Sequence, residues 1–399
     1  MLDMKALFQR SNHVRTILAL LAAGLCALSI SAQAVRPGLP VIVGASVSQT
    51  GGYASSGEMY ARGLTMWARE VNERGGILGR KVELLLKDDE SSPAKTGAAY
   101  ATLASPHGAD LILGPDHARL AKAALPALEK AKIPAVFPVA SSDVLWRDGK
   151  GLAFGVQSPL SEWPAGYFEA LSRAGVDSVC ILVVDHPTSE DVIEKISSLA
   201  RRYGLAVESR ISTGIKGLHA AVGQIEREGA AAVGVWGSQE GCLEALKEFR
   251  RSNPRPKSLY VSSSLGTNRM LLDFPGRELE GLFTSTPWDM RIAGAYPGGL
   301  EFAERFRAEN KCDPDHMAAC GYAAGQVLEA AAARARSIVP SKLKAALAEL
   351  ETMTIIGRYG VDPAGMQLRQ FPVMVQWQKG KREIVWPEEL RTARPSLAR

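Results

Sequence analysis

Residues 40–93 read PVIVGASVSQTGGYASSGEMYARGLTMWAREVNERGGILGRKVELLLKDDESSP. An apolar run at 41–45 enters a loop of small and hydroxyl residues at 46–57, and a long amphipathic helix follows. A glycine-rich turn at 75–79 then leads to a second apolar strand at 81–87. A strand feeding a small-residue loop at a helix start leaves backbone N–H groups and hydroxyls free to face a ligand. The helix dipole favours an anionic group at that place.

The same alternation continues outward from this stretch. Further strands are expected at 111–113, 135–139 and 152–155, with helices near 57–73, 93–105 and 119–131. A second series begins after Ser158. Its strands fall at 178–184, 206–211, 231–236, 258–262 and 281–285, and its helices near 163–174, 189–203, 218–228 and 240–252. Short apolar runs bounded by turn residues and separated by helices predict parallel sheets covered on both faces. Two such series predict two similar α/β lobes. The C-terminal part breaks the rhythm, with helices at 300–311, 316–337 and 341–350. Strands are expected at 358–361 and 372–377, with Asp362-Pro363-Ala364-Gly365 as a turn.

The first 34 residues read as an export leader. Lys5, Arg10 and Arg15 precede an apolar run at 16–30, and Ala32-Gln33-Ala34 is a small-x-small cleavage site. Two alternatives are an uncleaved anchor helix and acylation of Cys26, although Leu25 stands where a lipoprotein has a small residue. The chain carries 47 basic and 42 acidic residues, three of the basic ones in this leader. With no dense basic stripe and no zinc-finger spacing, nucleic acid is not an expected partner. Cys180, Cys242, Cys312 and Cys320 are too few for a disulfide framework in a chain this long. Cys180 reads as a buried strand residue, while a Cys312–Cys320 bridge stays open in an oxidising compartment.

Two motifs that suggest chemistry have simpler structural readings. Ser92-Pro93-Ala94-Lys95 fits S-x-x-K and Lys95-Thr96-Gly97 fits K-T-G, the motifs of penicillin-recognising enzymes. Those motifs belong on separate elements, and here they overlap at one helix start. Ser92 is more simply an N-cap with Pro93 at the first helical position. Cys312, Asp313, Asp315 and His316 cluster with no standard metal spacing. Asp313 and Asp315 read as turn and cap residues. No cofactor is expected.

The whole chain after the leader resembles the Leu/Ile/Val-binding protein family of type I periplasmic receptors. Asn72 with Gly75-Gly76-Ile77-Leu78-Gly79-Arg80-Lys81 matches its N-x-x-GG-I-x-G-x-K turn. Asp88-Asp89, Ser92-Pro93, Ile112-Leu113-Gly114-Pro115 and Pro134-Ala135-Val136 follow in the family's order. Ala318-Ala319-Cys320-Gly321-Tyr322 and Ile356-Gly357 with 362–365 resemble its C-terminal helix and last hairpin. The resemblance implies an α/β fold of two Rossmann-like parallel-sheet lobes joined by a three-strand hinge. Lobe 1 would comprise 41–157 plus 287–357, and lobe 2 158–286 plus 358–399, with the solute trapped between them by hinge closure.

Carried over position by position, the family's lobe 1 contacts fall on Ser56, Ala118, Val139, Ala140 and Ser141. Ala118 lacks the hydroxyl usual there, so neighbouring Asp116 and His117 are candidates to face the cleft; a surface loop role for His117 is the alternative. In lobe 2 the family's aromatic positions fall on Ser189 and near Gln239, and its ammonium-pairing acid near Ser264. No acid stands within 262–268. A buried ammonium without a carboxylate partner is costly. Either Glu240 or another acid supplies the charge, or the solute lacks an α-amino group. Trp236 and Trp288 are candidate stacking surfaces, with core packing the alternative for Trp236.

The resemblance therefore implies a monomeric periplasmic receptor, not an enzyme. It would bind an amino acid or an aromatic or aliphatic carboxylate and pass it to the membrane permease of an ABC transporter. A periplasmic sensory protein for amides or organic acids, without a transport role, is the alternative.

Overall fold

The computed structural model describes residues 38–139, 143–185, 189–253, 255–262 and 276–397. The expected leader lies outside them. Residues 41–155 alternate as β1 (Val41–Val47), α1 (Ala54–Glu73), β2 (Val82–Asp88), α2 (Pro93–Leu103), β3 (Leu111–Leu113), α3 (Ala118–Ala131), β4 (Ala135–Phe137), α4 (Asp143–Asp148) and β5 (Ala153–Gly155). These strands make one parallel sheet in the order β2-β1-β3-β4-β5. The second series runs α5 (Ala165–Arg173), β6 (Ser178–Val184), α6 (Ser189–Arg202), β7 (Ala206–Thr213), α7 (Leu218–Glu228), β8 (Ala232–Gly237), α8 (Gln239–Arg251), β9 (Ser258–Val261), α9 (Gly276–Leu279) and β10 (Phe283–Thr286). Then come α10 (Gly299–Asn310), α11 (His316–Ala335), α12 (Pro340–Glu349), the two-stranded ribbon β11 (Thr352–Thr354) and β12 (Gly357–Tyr359), and the hairpin β13 (Val373–Gln378) and β14 (Lys381–Trp386).

The second sheet has the order β14-β13-β10-β9-β8-β6-β7. It is parallel from β7 to β10 and antiparallel through β13 and β14. The near-continuous apolar run of β6, SVCILVV, follows from burial on both faces. Val179, Ile181 and Val183 pack with Tyr167, Phe168 and Ile196 of α5 and α6. Cys180, Leu182 and Val184 pack with Val222, Ile225, Leu246 and Phe249 of α7 and α8. The first sheet is sandwiched in the same way. Ile112 and Phe137 meet Tyr100, Leu103 and Leu128 of α2 and α3. The opposite face meets Tyr60, Leu64 and Trp67 of α1, which pack with Ala318, Val327 and Leu328 of α11.

The chain passes between the two sheets three times. It leaves β5 through Val156–Pro159 and enters α5. It leaves β10 through Pro287 and Trp288 and returns to α10. The last passage follows 361–366, where Ala364 and Met366 pack with the first sheet's core and the Gly155 amide donates to Gly365 O at 2.9 Å. The chain then runs through Gln370 and Pro372 into β13.

Candidate functional site

In an open α/β sheet, a crevice forms at the carboxyl ends of two neighbouring strands whose connections run to opposite sides. The first sheet reverses between β1 and β3, and the second between β6 and β8. The described residues after these four strands are therefore the candidate site: 48–53 and 114–117 on one sheet, and Asp185, the start of α6 and 237–239 on the other.

The β1 loop rests on the acidic end of β2. Asp88 Oδ1 accepts from the amides of Gln49 at 3.0 Å, Thr50 at 3.3 Å and Glu90 at 2.8 Å. Asp89 is fully buried and takes the hydroxyls of Ser46 at 2.7 Å and Ser48 at 2.8 Å, with the Ser91 amide at 3.0 Å. The paired aspartates thus shape the loop; both are occupied by its own donors.

Asp116, one residue beyond Gly114-Pro115, joins the same network from β3. Its Oδ1 accepts from the Ser48 amide and hydroxyl, each at 3.2 Å. Its Oδ2 is buried without a partner among the described residues. Ser48 has one hydroxyl proton for two carboxylates. Burial and the nearby Asp89 charge push Asp116 up to about 7 despite the Ser48 bonds. Gly57 completes the packing: a Cβ there would lie 2.1 Å from Ser48 O and 3.1 Å from Asp116 Oδ2, so only glycine lets α1 come this close.

Above this network the two loops meet through rings. Tyr53 stacks on His117 with centroids 3.8 Å apart and planes 4° apart. His117 is also the N-cap of α3, its Nδ1 accepting from the Arg119 amide at 3.2 Å. Burial of the ring and the Arg119 charge hold the imidazole below its ordinary value, in keeping with that acceptor role. Ser56 lies half-buried in the first turn of α1, and Val139 is buried just after β4. The β1 and β3 loops thus bring together Asp116 and His117, near Ser56. Tyr53 and Ser48 complete the group and were not singled out from the sequence.

On the second sheet, β6 and β8 approach closely at their ends. Gly237 has φ of 149°, and a Cβ there would lie 1.8 Å from Val184 O. Ser189 opens α6 and Gln239 opens α8, whose N-cap Ser238 accepts from the Gly241 amide at 3.0 Å. Ala140, Ser141 and Ser264 lie outside the described residues.

The structure corrects the expected stacking surfaces and bears out the expected capping residues. Trp236 is not a stacking surface: it is fully buried between Phe168 and Tyr260 in the core of the second sheet. Ala232 and Gly234 share its face of β8, and the indole lies across Gly234. Trp288 is also fully buried, edge-on to Phe302. Cys312 and Cys320 are both free. Cys320 faces the core from α11, whereas Cys312 is half-buried and accepts from Arg62 at 3.3 Å, so their side chains serve different surroundings. Asp315 caps α11 through the amides of Met317 and Ala318, and Asp313 pairs with Arg307 at 2.6 Å. Ser92 stands at the N-cap of α2 with Pro93 behind it, and Lys95 pairs with Glu90 rather than with Ser92. A groove of about 630 Å³ runs along α1 from Gln49 and Ser55 to Arg69 and Glu309. It contains nothing from β3, β6 or β8.

Comparison with known proteins follows this architecture. Residues 40–382 match the family model described as periplasmic binding protein. An amino acid binding protein of Pseudomonas aeruginosa is 23% identical over 372 residues, covering 92% of this chain and 96% of its own. A Leu/Ile/Val-binding protein homolog of Brucella melitensis is 23% identical over 347 residues, covering 85% and 91%. Among solved structures, a leucine binding protein from Thermotoga maritima superposes with a TM-score of 0.73 at 18% identity, covering 86% of this chain and 97% of its own. An ABC transporter solute binding protein from R. palustris, in complex with benzoate, gives 0.70 at 21% identity, covering 86% and 94%. A two-sheet chain with three passages, matched by that family over all but its ends, belongs to the periplasmic binding protein family.

Proposed function

We propose that this chain is the extracytoplasmic solute-binding component of an ABC transporter of the branched-chain amino acid type. It binds one small organic solute, an amino acid or an aromatic or aliphatic carboxylate, and delivers it to a membrane permease. The observation that carries this reading is the pairing of two strand-order reversals on two sheets joined by three short passages. That arrangement gives a solute contacts from both sides and lets the sheets close on it. Relatives named for leucine and a neighbour holding benzoate support the solute class. The lobes are 41–157 with the helices after 287, and 158–286 with the C-terminal hairpin. The contact of Gly365 with β5 supports a third boundary nearer 367 than 358.

The protein acts as a monomer in the periplasm after cleavage at Ala34. Its solute contacts are Ser56, Asp116, His117, Val139, Ala140 and Ser141 from lobe 1, with Ser189, Gln239 and Ser264 from lobe 2. With Trp236 and Trp288 buried in cores, an aromatic solute would have to be covered by other groups. Thermal-shift screening against amino acids, benzoate and aliphatic acids tests the reading, because a ligand of the native state raises the melting temperature. At least one of these classes should raise it; a flat response across the panel would contradict the proposal.

A further inference from the structure

Each of the three passages between the sheets contains a proline: Pro159, Pro287 and Pro372. Proline has no N–H, so these segments are poor at forming a ladder with one another. Two buried glutamines of the last passage supply cross-links instead. Gln370 Oε1 accepts from the Ser158 amide at 2.9 Å, and its Nε2 donates to Pro287 O at 3.1 Å and Phe371 O at 2.8 Å. One side-chain amide thereby touches all three passages. Gln367 Nε2 donates to Val156 O at 3.0 Å, while its Oε1 accepts from the amides of Gly360, Arg369 and Gln370. Gln367 and Gln370 are 1% and 4% exposed, so water does not replace these bonds.

Beside this clasp the first passage carries two buried polar atoms, Gln157 Oε1 and Ser158 Oγ, with no partner among the described residues. Buried polar groups are nearly always paired. Both lie in the passage that the Gln370 amide ties to the other two.

We propose that Gln370 is the positioning residue of closure: its amide ties the three passages so that they bend as one, and it sets the spread of angles between the two sheets. Gln367 serves the same clasp by fixing the passage on which Gln370 sits. The inference rests on the reading of this chain as a hinge-closing receptor. It concerns the solute-free protein, so it can fail while solute binding stands, or stand while a solute screen fails.

Small-angle scattering and thermal melting of the solute-free chain test it with three variants. Gln370→Ala removes the side-chain bonds to Ser158, Pro287 and Phe371 and leaves those of Gln367. Gln370→Glu keeps the volume and the Ser158 acceptor but loses the donor to Pro287. Gln376→Ala is the control: that buried amide bonds Gly281 O and Ser396 O within the second sheet's half of the chain. Both Gln370 variants should shift the pair-distance distribution to a broader spread than the parent, Gln370→Ala more so. Gln376→Ala should lower the melting temperature with an unchanged distribution. If Gln370→Ala does not fold, Gln370→Glu carries the comparison. Scattering of the Gln370→Glu protein superimposable on the parent would overturn the proposal, leaving Gln370 as a packing residue only.

Discussion

Asp116 gives the sharpest thermodynamic expectation. Its carboxyl titrates near 7 in the folded protein, because burial and Asp89 disfavour its charge. In the unfolded chain an aspartate titrates near 3.9. A raised folded value means that the native state holds a proton the unfolded state has lost. Stability therefore falls as pH rises from about 4 to about 7, and the loss is complete above that. The gap of roughly 3 units corresponds to at most about 4 kcal/mol. Asp116→Asn removes this titration while its side-chain oxygen still accepts from Ser48. Urea unfolding of both proteins across about pH 4.5 to 8 isolates the effect, since all other groups cancel in the difference. The variant should gain on the parent by about 2–4 kcal/mol between the two ends of that range. Parallel stability profiles would refute the reasoning and imply that Asp116 is ionised and compensated throughout.

Other expectations follow from the same geometry. Ser48→Ala strips a hydroxyl from both Asp89 and Asp116 and should destabilise by about 1–3 kcal/mol in urea unfolding; no change would mean that the loop's other bonds carry it. Trp236→Ala should cost about 3–5 kcal/mol of stability while leaving solute affinity intact in calorimetry, because the indole packs in the core; a selective loss of affinity would contradict that placement. Unfolding without reductant should leave Cys180, Cys242, Cys312 and Cys320 open to alkylation in mass spectrometry, and a linked Cys312–Cys320 peptide would contradict the free thiols. Edman sequencing of exported protein should begin at Val35; a chain starting at Met1 would reject the leader assignment.

The strand and helix rhythm was legible because both sheets are covered on both faces, so each strand is an apolar run with turn residues at its ends. β14 was not read, since KREIVW at a sheet edge carries charges on its outward residues. The Lys379-Gly380 pair was the available sequence signal for that hairpin, and both residues take positive φ. Of the two readings open for Trp236, stacking surface and core packing, the structure shows core packing. The alternation of β8 puts Ala232 and Gly234 on its face, and two small residues beside an indole mark space filled in a core. The roles of Tyr53 and Ser48 depend on His117 and Asp116, 64 and 68 residues away, a pairing that only the β1–β3 adjacency creates. Gln367 and Gln370 carry no local pattern at all. Their meaning lies in three passages that converge only in the folded chain.

A small solute is expected between the two sheets, at the ends of β1 and β3 on one side and of β6 and β8 on the other. A crystal structure with the first solute confirmed by thermal shift tests it most directly. The solute should contact residues from 48–57 or 114–117 and, at the same time, Asp185, Ser189 or residues from 237–240. A solute held by one sheet's loops alone, or in the groove along α1, would contradict it.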